Sequence, residues 1–155
     1  MRVSNVKPVP HGPVIDPYTE TRRWYLNGLL HRNDGPAVEY TSGSKRWFQN
    51  GECHREDGPA IEHADGSREW LQNDQHHRLD GPAVVNSTGT KEWWVNGLRH
   101  RLDGPAWEFS HGHRAWYVDN ADITDEVEAW LKEQGFSVPL SEQAQVLFVL
   151  KFSAR

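Results

Sequence analysis

The strongest constraint in this sequence is a period. Trp24, Trp47, Trp70, Trp93 and Trp116 stand 23 residues apart, and HRNDGPA, HREDGPA, HRLDGPA and HRLDGPA begin at His31, His54, His77 and His100 with the same step. Gly43, Gly66, Gly89 and Gly112 keep it too. Self-similarity at such a spacing predicts an array of small units, each too short to bury an apolar face alone. A fainter copy shows at Gly12-Pro13-Val14, with His11 where later copies carry Asp. The expected organisation is an N-terminal segment with a degenerate half-repeat over 1–20, four repeats over 21–120, and a different C-terminal part over 121–155.

Within one unit the pattern is short, aromatic and bounded by turns. Lys45-Arg46-Trp47-Phe48-Gln49 runs into Asn50-Gly51, a dipeptide suited to a type I′ hairpin because both central residues need positive φ. Asn27-Gly28 and Asn96-Gly97 repeat this signal, and Asn73-Asp74 and Asp119-Asn120 keep turn-forming residues. A further strand is expected near Ala37-Val38-Glu39-Tyr40, ending at the Gly43 turn. The fold class predicted is mainly β: an elongated, twisted antiparallel sheet of β-hairpin repeats, continued as a single sheet, with a C-terminal helical cap. Equivalent residues two strands on would recur about every 10 Å.

The recurring columns divide framework from variation. The five Trp are expected to form evenly spaced buried rungs. The nearest partners for Asp34, Asp57, Asp80 and Asp103 are the Arg two positions earlier and the indole N–H of a neighbouring rung. The backbone N–H that a loop Asp normally takes is missing, because Pro36, Pro59, Pro82 and Pro105 occupy its place. The columns after the Asn-Gly turn vary (Leu30, Cys53, His76, Arg99), as do the second-strand ends (Tyr40, His63, Asn86, Phe109). That variation, together with the acidic Glu39, Glu62 and Glu108, makes Glu39, Tyr40, Glu62, His63, His76, Arg99, Glu108 and Phe109 the candidate partner-binding residues. Unconstrained solvent positions would vary in the same way.

The tail reads as helix. Thr124-Asp125-Glu126 resembles an N-cap with first-turn acids, Val127, Trp130 and Leu131 share a helical face, and Gly135 is a natural stop. Ser141-Glu142-Gln143 opens a second segment into Val146-Leu147-Phe148-Val149-Leu150, whose periodicity fits helix or strand and whose Ser cap favours helix. Such a pair would cover the last Trp rung, as terminal caps do in repeat arrays.

Composition narrows function without naming it. The 155 residues carry 17 Lys and Arg against 22 Asp and Glu, a net charge of −5 that argues against direct nucleic-acid or anionic-membrane binding. The apolar run 146–150 is far too short for a membrane span, and no apolar leader is present near Met1. The lone Cys53 excludes an internal disulfide framework and fits a reducing cytoplasm. Catalysis needs one asymmetric constellation, whereas the same His, Arg and Asp recur four times here. No catalytic residue, cofactor or metal site is therefore assigned, although His111 and His113, with His63, have the chemistry to reach a metal.

The pattern W-F-Q-N-G-x-x-H-R-x-D-G-P-A resembles MORN repeats and, more closely, a MORN-like "HRxDGPA" repeat of bacteriophage, large-virus and bacterial proteins. The tail ITDEVEAWLKEQG and LSEQAQVLFVLKF is similar to the ends of such proteins, so the resemblance runs from about Gly12 to the C-terminus. It departs from ordinary MORN where H-G-x-G is replaced by H-R-x-D-G-P-A, and lipid binding is not carried over. The resemblance implies a β-hairpin scaffold that binds a protein, in one form a phage-encoded inhibitor docking onto a host protein such as a defence nuclease, in the host cytoplasm. The alternatives are a small-ligand binder taking a nucleotide or sugar, or a structural or antitoxin-like component. The open edge of the half-repeat also allows pairing with a second copy.

Overall fold

The computed structural model of the protein describes residues 12–153, so His11 and most of the expected half-repeat lie outside the described residues. The fold is mainly β, with twenty two-residue strands followed by two helices among the described residues. Ten of the strands form one antiparallel sheet whose neighbours follow chain order, and the other ten pair as five separate two-stranded ladders. Hairpin repeats and a helical C-terminal cap are thus present as expected. The long antiparallel sheet of repeats is present as well, and the Asn-Gly hairpins add five separate two-stranded ladders to it.

The reason lies at the tryptophans. Val38–Glu39 pairs with Arg22–Arg23 on one side and, across the Gly43 turn, with Lys45–Arg46 on the other. Phe48–Gln49 instead pairs with Glu52–Cys53 across Asn50-Gly51. Between the two ladders, Trp47 donates its N–H to Ala60 O at 2.8 Å and accepts from His54 N at 3.1 Å. Trp24 and Trp93 do the same with Ala37 and His31, and with Ala106 and His100. Each of these Trp is therefore a junction where the chain leaves the long sheet for a local hairpin.

The turns follow their sequence signals. Asn27, Asn50 and Asn96 have φ of 52, 52 and 50°, each followed by a glycine at positive φ. Asn73-Asp74 and Asp119-Asn120 adopt the same left-handed pair without glycine, which short polar side chains tolerate. These turns also stitch consecutive repeats. Gly51 donates to Leu30 O, Asp74 to Cys53 O, Gly97 to His76 O and Asn120 to Arg99 O, at 2.8–3.1 Å.

Two compact units divide the chain, Met1–Gln75 and His76–Arg155. In the first, burial is thin: Cys53, Ala60 and Leu71 form a small core with Phe48 and Ile61 against it. In the second, Trp116, Val118 and Ile123 join Val127, Trp130 and Leu131 of α1 (Thr124–Gln134) and Ala144, Phe148 and Phe152 of α2 (Glu142–Phe152). The Trp116 and Phe148 rings lie 5.2 Å apart. The helices thus cover the final rung, and the run at 146–150 is helical. Ser141 caps α2 by accepting from Ala144 N, and Gly135 ends α1 at φ 71° with its N–H on Leu131 O. Thr124 is not the N-cap of α1. Its hydroxyl is held by Asp122 at 2.6 Å and accepts from Trp116 N, which ties the helix start to the last rung.

The rungs themselves are unequal, contrary to expectation. Trp116 is fully buried, whereas Trp24, Trp47, Trp70 and Trp93 are half-buried. The fully buried repeat position is instead the small one, Ala37, Ala60, Ala83 and Ala106. Two-residue strands carry too few side chains to enclose an indole, so a ring is covered completely only where helices are added.

Candidate functional site

The HRxDGPA segment builds a clamp. The guanidinium of Arg32 lies 4.1 Å over the Trp24 ring, that of Arg55 4.2 Å over Trp47, and that of Arg101 3.9 Å over Trp93. The edges of each guanidinium are taken within the same loop. Nε of Arg32, Arg55, Arg78 and Arg101 donates to Asp34, Asp57, Asp80 and Asp103 at 2.6–2.9 Å. Nη1 donates to the carbonyl oxygens of Pro36, Pro59, Pro82 and Pro105. Glycine gives the guanidinium room on the open side. A Cβ at Gly35, Gly58, Gly81 or Gly104 would lie 3.0, 2.9, 3.1 or 2.8 Å from the Arg Cζ. The Asp find the Arg anticipated from sequence, and they stand exposed. The indoles of Trp94 and Trp116 donate to Glu92 and Glu128.

Hydrogen bonding first, and the guanidinium charge second, hold Asp34, Asp57 and Asp80 below the ordinary carboxylate value. With the lower value in the folded state, these pairs stabilise the fold above the unfolded value of 3.8, and the contribution is lost as pH falls through the folded values. Their contribution to the melting temperature is expected to be constant from about pH 7 to about pH 5 and to decline below about pH 4. The triple variant Asp34→Asn, Asp57→Asn, Asp80→Asn should lose part of that decline in a pH series of thermal melts. An unchanged acid limb would contradict the clamp as its source.

The candidate partner-binding residues are engaged locally. Glu39, Glu62 and Glu108 accept from Arg32, Arg55 and Arg101 at 3.3, 3.4 and 2.8 Å, completing the clamps. Tyr40 lies under Arg46, with the guanidinium 5.6 Å from its ring centroid. His63 bonds Glu69 at 2.8 Å, His76 lies 5.5 Å from the Trp94 ring, and Phe109 stacks on Trp107 at 4.4 Å. Arg99 donates twice to Glu92 and lies over Trp94 and Trp107. The histidine column is likewise occupied: Nδ1 of His31, His54, His77 and His100 lies 3.0–3.3 Å from the backbone N of Asn50, Asn73, Asn96 and Asp119. Burial first, then the Asp74 charge, push the Cys53 thiol up to about 12, so it is no thiolate at neutral pH. Among the described residues no three His, Cys, Asp or Glu side chains group as a metal site requires, and no helix is long and apolar enough to cross a membrane.

The feature that sequence reasoning missed is a groove of about 1060 Å³ in the second unit, between the loops at 78–81 and 100–103 and α2. Its apolar lining includes Trp93, Leu79 and Leu102, faced by Val146, Val149 and Leu150. Leu79 is 80% exposed, Val146 60% and Leu150 73%. The matching groove of the first unit, about 770 Å³, carries Asn33 and Glu56 where the second has Leu79 and Leu102. The signal was the x of HRxDGPA, which reads Asn, Glu, Leu, Leu along the chain.

Comparison with known protein families, characterised proteins and solved structures finds no match for the chain.

Proposed function

We propose that the chain is a non-enzymatic, protein-binding repeat scaffold. The observation that carries this reading is the open apolar groove beside α2, where Leu79, Val146 and Leu150 face solvent although the clamp beneath is fully bonded. Exposed apolar patches set in a polar surface mark interaction sites. The repeated His, Arg and Asp are committed to the framework, which takes these groups away from acid–base or nucleophilic chemistry.

The MORN-like resemblance directs the proposal to a phage-encoded inhibitor that docks onto a host protein, a defence nuclease being one example, in the host cytoplasm. A small ligand fits the groove less well. Small-molecule pockets of about 300–1,000 Å³ enclose about 70–90% of the ligand surface, whereas Leu79, Val146 and Leu150 on the walls here face solvent.

The test is affinity capture with the purified chain from a lysate of bacterial host cells, followed by mass spectrometry. One stoichiometric protein is expected with the wild type and strongly reduced amounts with Leu79→Ser/Leu150→Ser. Capture of no protein, together with a thermal shift on adding nucleotides or sugars, would overturn the reading in favour of a ligand-binding protein.

A further inference from the structure

We infer that the groove beside α2 takes an amphipathic segment of a partner protein, with apolar anchors inward and flanking Lys or Arg. The inference rests on the protein-binding reading and specifies the chemistry of what is bound.

The floor and walls set the apolar half of the argument. Leu79 and Leu102 come from two consecutive clamps, and Val146, Val149 and Leu150 come from α2. These residues sit at i, i+3 and i+4 on the helix, so they form one stripe. α2 buries Ala144, Phe148 and Phe152 against the core and still presents this second stripe outward. A helix with apolar residues beyond its core face has one more surface than the described residues cover.

The charge at the rim sets the other half. Each clamp is an ion pair, but its halves differ in exposure. The Asp80 and Asp103 side chains are 84% and 64% exposed, while Arg78 and Arg101 are only 24% and 19% exposed. The cations are turned inward and the carboxylates are turned out. On the opposite wall stands the exposed Glu142. An occupant therefore meets an apolar channel between acidic borders. A basic amphipathic segment complements both features, and an acidic one complements only the first.

The probes are three 18-residue fluorescent peptides: Leu and Lys at helical spacing, Leu and Glu at the same spacing, and Ser and Lys with the same charge. Binding of the full-length protein is followed by anisotropy at two salt concentrations. The Leu/Lys peptide is expected to bind at least about tenfold more tightly than either other peptide, with affinity falling as salt rises. Leu79→Ser/Leu150→Ser should weaken it by about tenfold or more, and Glu142→Gln by about two- to threefold. Thermal melts of these surface variants establish that they are folded.

Equal binding of the Leu/Glu peptide, or binding that survives the Leu double substitution, would overturn the inference. So would concentration-dependent self-association abolished by the same substitution, since the occupant would then be a second copy. If the peptides fail but a captured protein is still retained by the double variant, the scaffold reading stands and only the groove assignment is lost.

Discussion

Truncation of Trp116 to Ala is expected to destabilise the protein by about 3–5 kcal/mol, the range for removing a large ring from a packed core. The same truncation at Trp24 is expected to cost about 1.5–3 kcal/mol, because a half-buried ring leaves no closed cavity. The two residues occupy the same position of the repeat, so local sequence distinguishes them little. Trp116 is fully buried among Phe148, Val127 and Trp130, and its indole N–H donates to Glu128 at 3.3 Å. Trp24 has one face under Arg32 and is only half-buried. Urea denaturation followed by far-ultraviolet circular dichroism measures both. Trp116→Phe, which keeps a ring but loses the indole N–H, should fall between wild type and Trp116→Ala and remains folded enough to measure. Equal losses at Trp24 and Trp116 would contradict the helical cover as the source of the difference.

The clamp supplies the second large effect. Arg101→Ala is expected to cost about 2–4 kcal/mol, since it removes a stacked cation and leaves Pro105 O and Glu108 without this donor. Gly104→Ala should cost a similar amount by another route, because a Cβ 2.8 Å from Arg101 Cζ displaces the guanidinium from its seat. If that is the mechanism, the double variant loses little more than Arg101→Ala alone, with a coupling of about 2–3 kcal/mol. Additive losses would mean that Gly104 serves its own backbone and not the Arg. The corresponding cycle at Arg55 and Gly58 repeats the test in the first unit.

Much of this fold could be read from local chemistry. Asn27-Gly28, Asn50-Gly51 and Asn96-Gly97 fold as type I′ turns because only such residues take two consecutive positive φ values without strain. Asp34 and its equivalents pair with the Arg two residues earlier because Pro removes the alternative donor. Gly135 and Ser141 bound the helices for similarly local reasons. The reading went astray where distant segments decide. Phe48–Gln49 leaves the long sheet since its partner strand is its own hairpin mate, and strand patterning carries no label for that choice. Glu39, Glu62 and Glu108 looked like free acids for a partner, yet each closes a clamp seven residues upstream.

By itself the sequence determined the repeating unit: its turns, its Arg–Asp pairing and the presence of a different, helical end. Those features arise from contacts within one unit or a few residues, and such contacts recur whenever the residues recur. Only the tertiary structure decided which Trp is enclosed and where an apolar surface is left open. Both depend on α1 and α2 folding back upon the last repeats, and an end is the one place in a periodic chain where identical residues meet different neighbours.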